Sequence, residues 1–271
     1  MSEAEAIAAV DEPVTATGIA EALHALGLSS GDTVIVHSSM NSLGWVCGDA
    51  PAVVDGLMEV IGMEGTLVMP TFTTQYSDPA DWENPPVPKD WIETIRKMRP
   101  PFRPRITPSR GMGTIPECFR CYPQTTRSRH PLYSLTAWGA EAEALVADHR
   151  YDHGLGDGTP LARLYDVDGL VLQLGTGYET NSSLHLAEYR SDTWEQTVEH
   201  SVPVITNGQR DHVTFEEVDW STDGFPALGE AFERNSEFQC GKVGAAEARL
   251  LSQRSLVDFG VEWLNDNRQS L

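Results

Sequence analysis

The sequence predicts an α/β fold: a single layered domain over residues 1–271, with a central mixed sheet flanked by helices. Three observations carry that prediction. The runs Thr33-Val-Ile-Val-His37, Thr66-Leu-Val-Met-Pro70 and Leu170-Val-Leu-Gln-Leu174 are short and almost continuously apolar, as strands buried on both faces are. Helical stretches with apolar residues three and four apart separate them. The first two runs enclose one such stretch within residues 33–70, the arrangement of a crossover between parallel strands.

Taken in order, residues 1–16 are expected to be a loosely ordered N-terminal segment. Residues 18–27 place Ile19, Leu23 and Leu26 on one helical face, and Gly27 and Gly31 close the helix. After the 33–37 strand, Asp49 offers an N-cap, Pro51 an early helical proline, and Val54, Leu57, Met58 and Ile61 an apolar face for a helix over 50–61. The 66–70 strand completes the crossover. Residues 70–108 break the pattern. Nine of the 17 prolines fall there, in phrases such as NPPVP and RPPFRP, with Trp82 and Trp91 among them and room for one short helix near 90–99. A proline-punctuated excursion of this length either covers a site or wraps the surface. Helical patterning returns at 139–149. The strand at 170–174 follows the turn residues Asp168 and Gly169. It runs into Gly175-Thr-Gly177 and a helix carrying His185 and Glu188, for which Asn181, Ser182 or Ser183 supplies the cap. A long helix over 244–266, with Leu250, Val257, Val261 and Leu264 on one stripe, closes the chain.

Charge excludes some partners. Asp and Glu number 40 against 19 Lys and Arg, a net charge of −21. Nucleic acid is disfavoured, because phosphate contacts need clustered cations. A negative field suits a cationic ligand, although an acidic surface also serves solubility alone. The distribution is uneven. Residues 1–88 carry 13 acids and no Lys or Arg, residues 89–129 carry ten bases and three acids, and residues 130–271 carry 24 acids and nine bases. The basic island is either the counterpart of a polyanionic ligand or an Arg-rich exposed loop. No stretch approaches the roughly 18 consecutive apolar residues of a membrane span. The acidic start MSEAEAIAAVDEP lacks the basic region of a secretory or transit signal, so the expected location is the cytoplasm. The four cysteines, Cys47, Cys118, Cys121 and Cys240, are expected to be buried or half-buried free thiols. Cys118 and Cys121 form a C-x-x-C pair, but a structural zinc site needs a second pair and the sequence has none, so no metal is expected.

Three strand ends share small hydroxyl residues and glycines: His37-Ser-Ser39, Pro70-Thr-Phe-Thr-Thr74 and Gly175-Thr-Gly177. Ligands of α/β sheets bind beyond such ends, where small residues let backbone N–H groups come close. His185 and Glu188 are three apart and face one side of their helix, which fits a carboxylate orienting a general base. An H-x-x-E is also an ordinary helix-surface pair; this one gains weight by following the Gly-Thr-Gly strand end directly. Arg110-Gly-Met-Gly113 is glycine-rich without being a Walker loop, and Arg127, Arg129 and His130 end the basic island where they can meet phosphate oxygens or simply form a turn. Neither a G-x-S-x-G elbow nor a G-x-G-x-x-G opening a helix after the first strand is present.

The segments HSSMNSLGWVCG, TLVMPTFT, DPADWENPPVP, TPSRGMGTIPE, RSRHPLYS, GLGDGTPLARLY and NSSLHLAEYR, in this order, resemble the aminoglycoside 3-N-acetyltransferase family. The resemblance implies an acetyl-CoA-dependent enzyme, not of the GNAT type, that acetylates the 3-amine of the deoxystreptamine ring and so inactivates the antibiotic. It implies His185 as the general base and Glu188 as the residue that orients it, in direct attack within a ternary complex. Backbone N–H groups after the first strand, or the Thr176 and Ser182 hydroxyls, are the candidate oxyanion donors. Ser38, Ser39 and Met40, with Thr71 and Thr73, would border the pantetheine and thioester. The loop Ser109, Arg110, Gly111, Met112 and Gly113, with Ser128, Arg129 and His130, would hold the nucleotide and phosphate end of CoA. Tyr76, Asp78, Glu83, Glu179 and Glu217 would meet the ammonium groups of the antibiotic. The implied partners are CoA and a cationic aminoglycoside, with no nucleic acid and no membrane, and the expected assembly is a monomer or a homodimer.

The sequence departs from the family pattern at three places. Asn181-Ser182-Ser183 stands for Asn-Thr-Ser, Tyr178-Glu179 for His-Asp, and Arg103-Pro104 for Asp-Pro. These bear on substrate range more than on chemistry. Two alternatives therefore accompany the reading: a CoA-dependent acyltransferase acting on a different amine, and a non-catalytic binder of cationic antibiotics.

Overall fold

The computed structural model describes residues 2–194 and 196–267. The chain enters through α1 (Glu3–Ala8), where a capping box pairs Ser2 with Glu5 and no residue is buried. Val14 then forms an isolated parallel bridge to Val46. The segment read as loosely ordered therefore has local order at two points.

Alternation along the first strand sorts the helices into two layers. Strand β1 (Thr33–Ser38) sends Val34 and Val36 into a core with α2 (Ala16–Leu26) and α3 (Asp49–Ile61), and Ile35 into a second core on the other face. Strand β2 (Thr66–Pro70) divides in the same way, with Leu67 and Met69 against Val68. The first layer is completed by α5 (Thr114–Phe119), which follows α4 (Ile92–Met98) in the proline-rich excursion. Then come β3 (Thr126–Arg127), β4 (Leu135–Gly139), α6 (Ala142–Val146), α7 (Pro160–Asp166), β5 (Leu170–Leu174) and α8 (Ser183–Arg190). The hairpin β6 (Thr197–Thr206) and β7 (Gln209–Val218), then α9 (Phe225–Asn235), β8 (Gln239–Val243), β9 (Ala246–Ser252) and α10 (Gln253–Asn267) complete the chain. Leu145, Leu164, Leu184, Phe232 and Leu256, from α6 to α10, fill the second core.

Among the described residues, seven strands form one sheet in the order β3-β4-β2-β1-β5-β9-β8. The central strands β2, β1 and β5 are parallel, with Ile35 opposite both Val68 and Val171. The flanking pairs are antiparallel. The sheet is thus mixed, as the sequence predicts, and its parallel centre is the part covered on both faces.

Four expectations change. Asp49 is the first helical residue of α3, not its cap; Gly48, at φ +96°, holds the cap position, and no side chain caps it. The helix expected at 139–149 shrinks to α6, because residues 135–139 pair with β2 as strand β4. The long helix expected over 244–266 is two elements. Residues 246–252 pair with β5, and only Gln253 onward is helical. Local helix propensity in Ala-Glu-Ala-Arg-Leu-Leu loses to burial against a central strand. The four cysteines are free, but Cys47, Cys121 and Cys240 are exposed and only Cys118 is half-buried. Cys240 sits on the edge strand β8, most of which faces solvent. Among the described residues, no helix is long and apolar enough to cross a membrane, and no cluster of three or more His, Cys, Asp or Glu could hold a metal ion.

Candidate active site

The ends of the parallel strands meet at a cleft of about 550 Å³. His37, Ser38 and Ser39 come from the end of β1, Phe72 from beyond β2, and Thr176 from beyond β5. Gly175 permits the third of these ends to turn inward: its φ is +71°, and a Cβ there would stand 2.4 Å from Ser42 Cβ. Ser42 Oγ donates to Gly175 O at 2.9 Å and so ties the first strand end to the third. Gly111, Met112 and Gly113 form the facing wall, ahead of α5. They are brought there by the return of the excursion, in which Arg110 N–H donates to Phe72 O at 2.9 Å.

Helix α8 presents His185 and Glu188. Asn181 Oδ1 accepts from Ser183 N–H at 3.1 Å, a turn that starts the helix. His185 falls in the first turn and lines the cleft, and Glu188 lies one turn on. His185 Nδ1 is 3.0 Å from Glu188 Oε2. An ionised carboxylate only accepts, so Nδ1 carries the hydrogen and Nε2 keeps its lone pair. Glu188 Oε1 also accepts from Ser221 N–H at 3.4 Å. Trp220 and Phe225 hold the imidazole, with ring centroids 4.3 and 5.0 Å away. Glu188→Gln removes the charge that fixes this tautomer and supports the imidazolium. Its turnover is expected to fall at least about tenfold in a steady-state assay; unchanged turnover would count against the pair.

Of the expected catalytic residues, His185, Ser182 and Thr176 line the cleft and Glu188 stands behind His185. Thr176 Oγ1 donates to His37 O at 3.3 Å, and Ser39 N–H donates to Leu174 O at 2.9 Å. Both hydrogens are therefore turned to protein acceptors rather than to a developing oxyanion.

Of the expected CoA contacts, Ser38, Ser39, Met40, Gly111, Met112 and Gly113 line the cleft. Ser109 does not, because its N–H and Oγ both donate to Glu117 Oε2, at 2.8 and 2.6 Å. Arg110 lies at an adjoining hollow of about 200 Å³, with Trp82 and Glu83. Thr71, Thr73, Ser128 and His130 are buried behind the cleft and hold the fold together. Thr71 Oγ1 donates to Ser134 O at 3.1 Å, and Thr73 Oγ1 donates to Pro131 O. Ser128 Oγ accepts from Leu135 N–H at 3.0 Å. His130 Nδ1 accepts from the N–H groups of Leu132 and Tyr133, and its Nε2 donates to Tyr151 O at 2.9 Å. Burial and the neighbouring His149 push its pKa down, away from a phosphate-binding cation. Arg129 is exposed and outside the cleft lining. Arg96, Arg99, Arg120 and Arg127 are likewise spent on protein acceptors, which accounts for much of the basic island.

Of the expected antibiotic contacts, Glu179 alone lines the cleft. Tyr76 is buried edge-on to Phe102 with centroids 6.1 Å apart. Asp78 is held by Arg96 at 2.8 Å, and Glu83 faces the adjoining hollow. Glu217 has no exposed surface; its Oε2 accepts from Gly154 N–H at 2.9 Å and its Oε1 from Val218 N–H at 3.1 Å. Desolvation is the largest influence on this carboxyl and pushes its pKa from 4.5 up to about 8. The unfolded chain releases this proton first, so the group's contribution to stability falls as pH rises through the interval 4.5 to 8. Melting temperatures across that interval are expected to decline, and Glu217→Gln to flatten the decline. An equal slope in both proteins would refute it.

A cleft at the carboxyl ends of parallel strands, with a histidine on its wall and a glutamate behind it, is the arrangement of an α/β enzyme site. The chain belongs to the aminoglycoside 3-N-acetyltransferase family, an acyltransferase family, which it matches over residues 35–265. The SPbeta prophage-derived aminoglycoside N(3')-acetyltransferase-like protein YokD of Bacillus subtilis is 42% identical over 256 residues, 94% of each chain. Its crystal structure superposes with a TM-score of 0.95, covering 99% of both chains. Aminoglycoside N(3)-acetyltransferase VII of Streptomyces paromomycinus is 34% identical over 98% of this chain and 96% of its own. AAC-IIIb, solved as a binary complex with CoASH, matches with a TM-score of 0.85 at 32% identity, over 94% of this chain and 98% of its own.

Proposed function

We propose that this protein transfers the acetyl group of acetyl-CoA to the 3-amino group of deoxystreptamine aminoglycosides, by direct attack in a ternary complex with His185 as general base. The observation that carries the mechanism is the His185–Glu188 pair, with Nδ1 3.0 Å from Glu188 Oε2 and the imidazole lining the cleft. A carboxylate at Nδ1 favours the tautomer that leaves Nε2 free to accept a proton. A thioester is already activated, so what remains for the protein is positioning, amine deprotonation and oxyanion stabilisation. Family membership and the CoASH complex of AAC-IIIb support acetyl-CoA as the donor. Ser38, Ser39 and Met40 facing Gly111–Gly113 fit a pantetheine arm, since small residues and left-handed glycines leave backbone close to the ligand. The 70–108 excursion contributes Pro70, Phe72 and Thr74 to the cleft, and its return at Arg110 brings Gly111–Gly113 to the facing wall; the whole is read as one domain. Glu179 is positioned to meet an ammonium group of the acceptor.

One observation favours a second reading, acetylation of a different amine. Of the acids expected to meet the antibiotic, a single one faces the cleft. Thiol release from acetyl-CoA, followed over a panel of deoxystreptamine aminoglycosides, separates the two readings. Release that depends on the aminoglycoside supports the first. Bound CoA with no release from any member of the panel favours another amine.

A further inference from the structure

His37 is a polar residue of the cleft to which the mechanism above gives no task. It lines the cleft near the end of β1, with 5% of its surface exposed. Strand alternation turns it to the Ile35 side of the sheet, where α8 packs, so it shares a face with His185. Among the described residues its Nε2 has no hydrogen-bond partner. Its register neighbour on β5 is Gln173, fully buried, whose two amide atoms are likewise without partners. Two residues earlier, the same face of these strands carries the apolar pair Ile35 and Val171. Buried polar side chains are normally bonded within the fold. An imidazole left unpaired on a cleft wall has a hydrogen bond to offer a bound molecule.

The other groups at the cleft narrow what it meets. Acyl transfer develops negative charge on the thioester oxygen. Ser39 N–H and Thr176 Oγ1 are committed to Leu174 O and His37 O. The Ser38 hydroxyl on the cleft wall is without a partner among the described residues, as His37 Nε2 is. It sits one residue further along β1, however, where alternation turns it to the opposite face of the sheet from His37 and His185. Burial, with the nearby His185, pushes the His37 pKa down to about 3, so the ring stays neutral. A neutral donor adds no positive charge to repel a cationic acceptor or to oppose protonation of His185.

We propose that His37 is a second catalytic histidine, which donates an N–H to the thioester oxygen as the acceptor amine adds. This rests on the acyl-transfer reading above. The amine nitrogen forms its bond to the acyl carbon, the carbonyl π pair moves onto oxygen, and His185 Nε2 takes the proton of the amine. The pair then returns as the C–S bond breaks, its electrons leave on sulfur, and His185 gives the proton to the thiolate. His37 keeps its own proton throughout.

Isotope-edited infrared spectra of acetyl-CoA labelled with ¹³C at the carbonyl read this bond directly, with no acceptor present. The carbonyl band is expected at lower wavenumber on the wild-type protein than in solution. It should return towards the solution value in His37→Ala and stay lowered in His185→Ala. With an acceptor, His37→Ala is expected to lose about a hundred- to a thousandfold in turnover while CoA affinity holds, and His37→Gln, which keeps an N–H donor, to recover part of the loss. His37→Phe, which keeps a ring without a donor, replaces the alanine variant should that one fail to fold. A wild-type band at the solution position overturns the proposal. So does wild-type turnover in the donor-less variant, or a glutamine variant as slow as alanine when both fold and bind CoA. An inactive aminoglycoside panel refutes the acceptor alone, since the infrared comparison needs none.

Discussion

His185→Ala is expected to lower acetyl transfer at least about a hundredfold while leaving the fold and CoA binding intact. The expectation of a large effect follows from the geometry. Glu188 Oε2 fixes Nδ1–H at 3.0 Å, so the one basic nitrogen of the pair is Nε2, on the cleft side. The attacking amine must shed a proton as its nitrogen bonds to the acyl carbon, or the adduct expels the amine rather than the thiolate. With the imidazole gone, Glu188 is set back from the cleft wall and has Ser221 N–H to satisfy, so it is a poor substitute. The fold should survive, because the ring is held by Trp220 and Phe225 rather than tying elements together. Thiol release by the two proteins at saturating substrates, beside calorimetric titration with CoA, checks both halves. Near-wild-type turnover would remove His185 from the role of base.

The elements legible in the sequence are those whose signal is local. Thr33–Ser38, Thr66–Pro70 and Leu170–Leu174 read as strands because burial on both faces leaves no polar alternation. The spacing of His185 and Glu188 alone puts them on one side of a helix. The failures share a different cause: they turn on where a distant segment lies. Ala246–Ser252 is composed like a helix and becomes a strand because β5 has an open edge to fill. Thr71, Thr73, Ser128 and His130 have the chemistry of ligand contacts, but buried carbonyls and amides of the same loops claim them first. Glu217 did carry a signal. It falls in alternation with Val213 and Phe215 on the inner side of β7, so burial was readable there. His37 carried one too, as a titratable side chain interrupting an apolar strand just where its carboxyl end meets the site.

Arg127→Leu is expected to be the costliest of these changes for stability. The side chain has the chemistry to meet a phosphate, but the fold commits it to protein acceptors. Its guanidinium donates to Pro104 O at 3.1 Å, to Thr107 O and Thr71 O, and its Nε to Ser134 Oγ at 3.0 Å. One planar fork thus joins the end of β2, the return of the excursion and the segment entering β4. It lies 5.3 Å from the Phe102 ring centroid, and desolvation draws its pKa down to about 10. Leucine fills part of the space and leaves the carbonyls of Pro104 and Thr107 without this donor. At roughly 1–3 kcal/mol for each buried polar group left unsatisfied, the loss comes to about 3 kcal/mol. That corresponds to a melting temperature lower by about 6–12 °C. Because the same return leads on to Gly111–Gly113, CoA affinity should weaken as well, without the selective loss of turnover expected of His185→Ala. Arg127→Lys separates charge from geometry. A point charge on a flexible stem cannot reach all four acceptors, so lysine should recover less than half of the loss. Thermal denaturation of both variants tests the account. It fails if leucine melts within about 2 °C of wild type, a shift worth under roughly 1 kcal/mol.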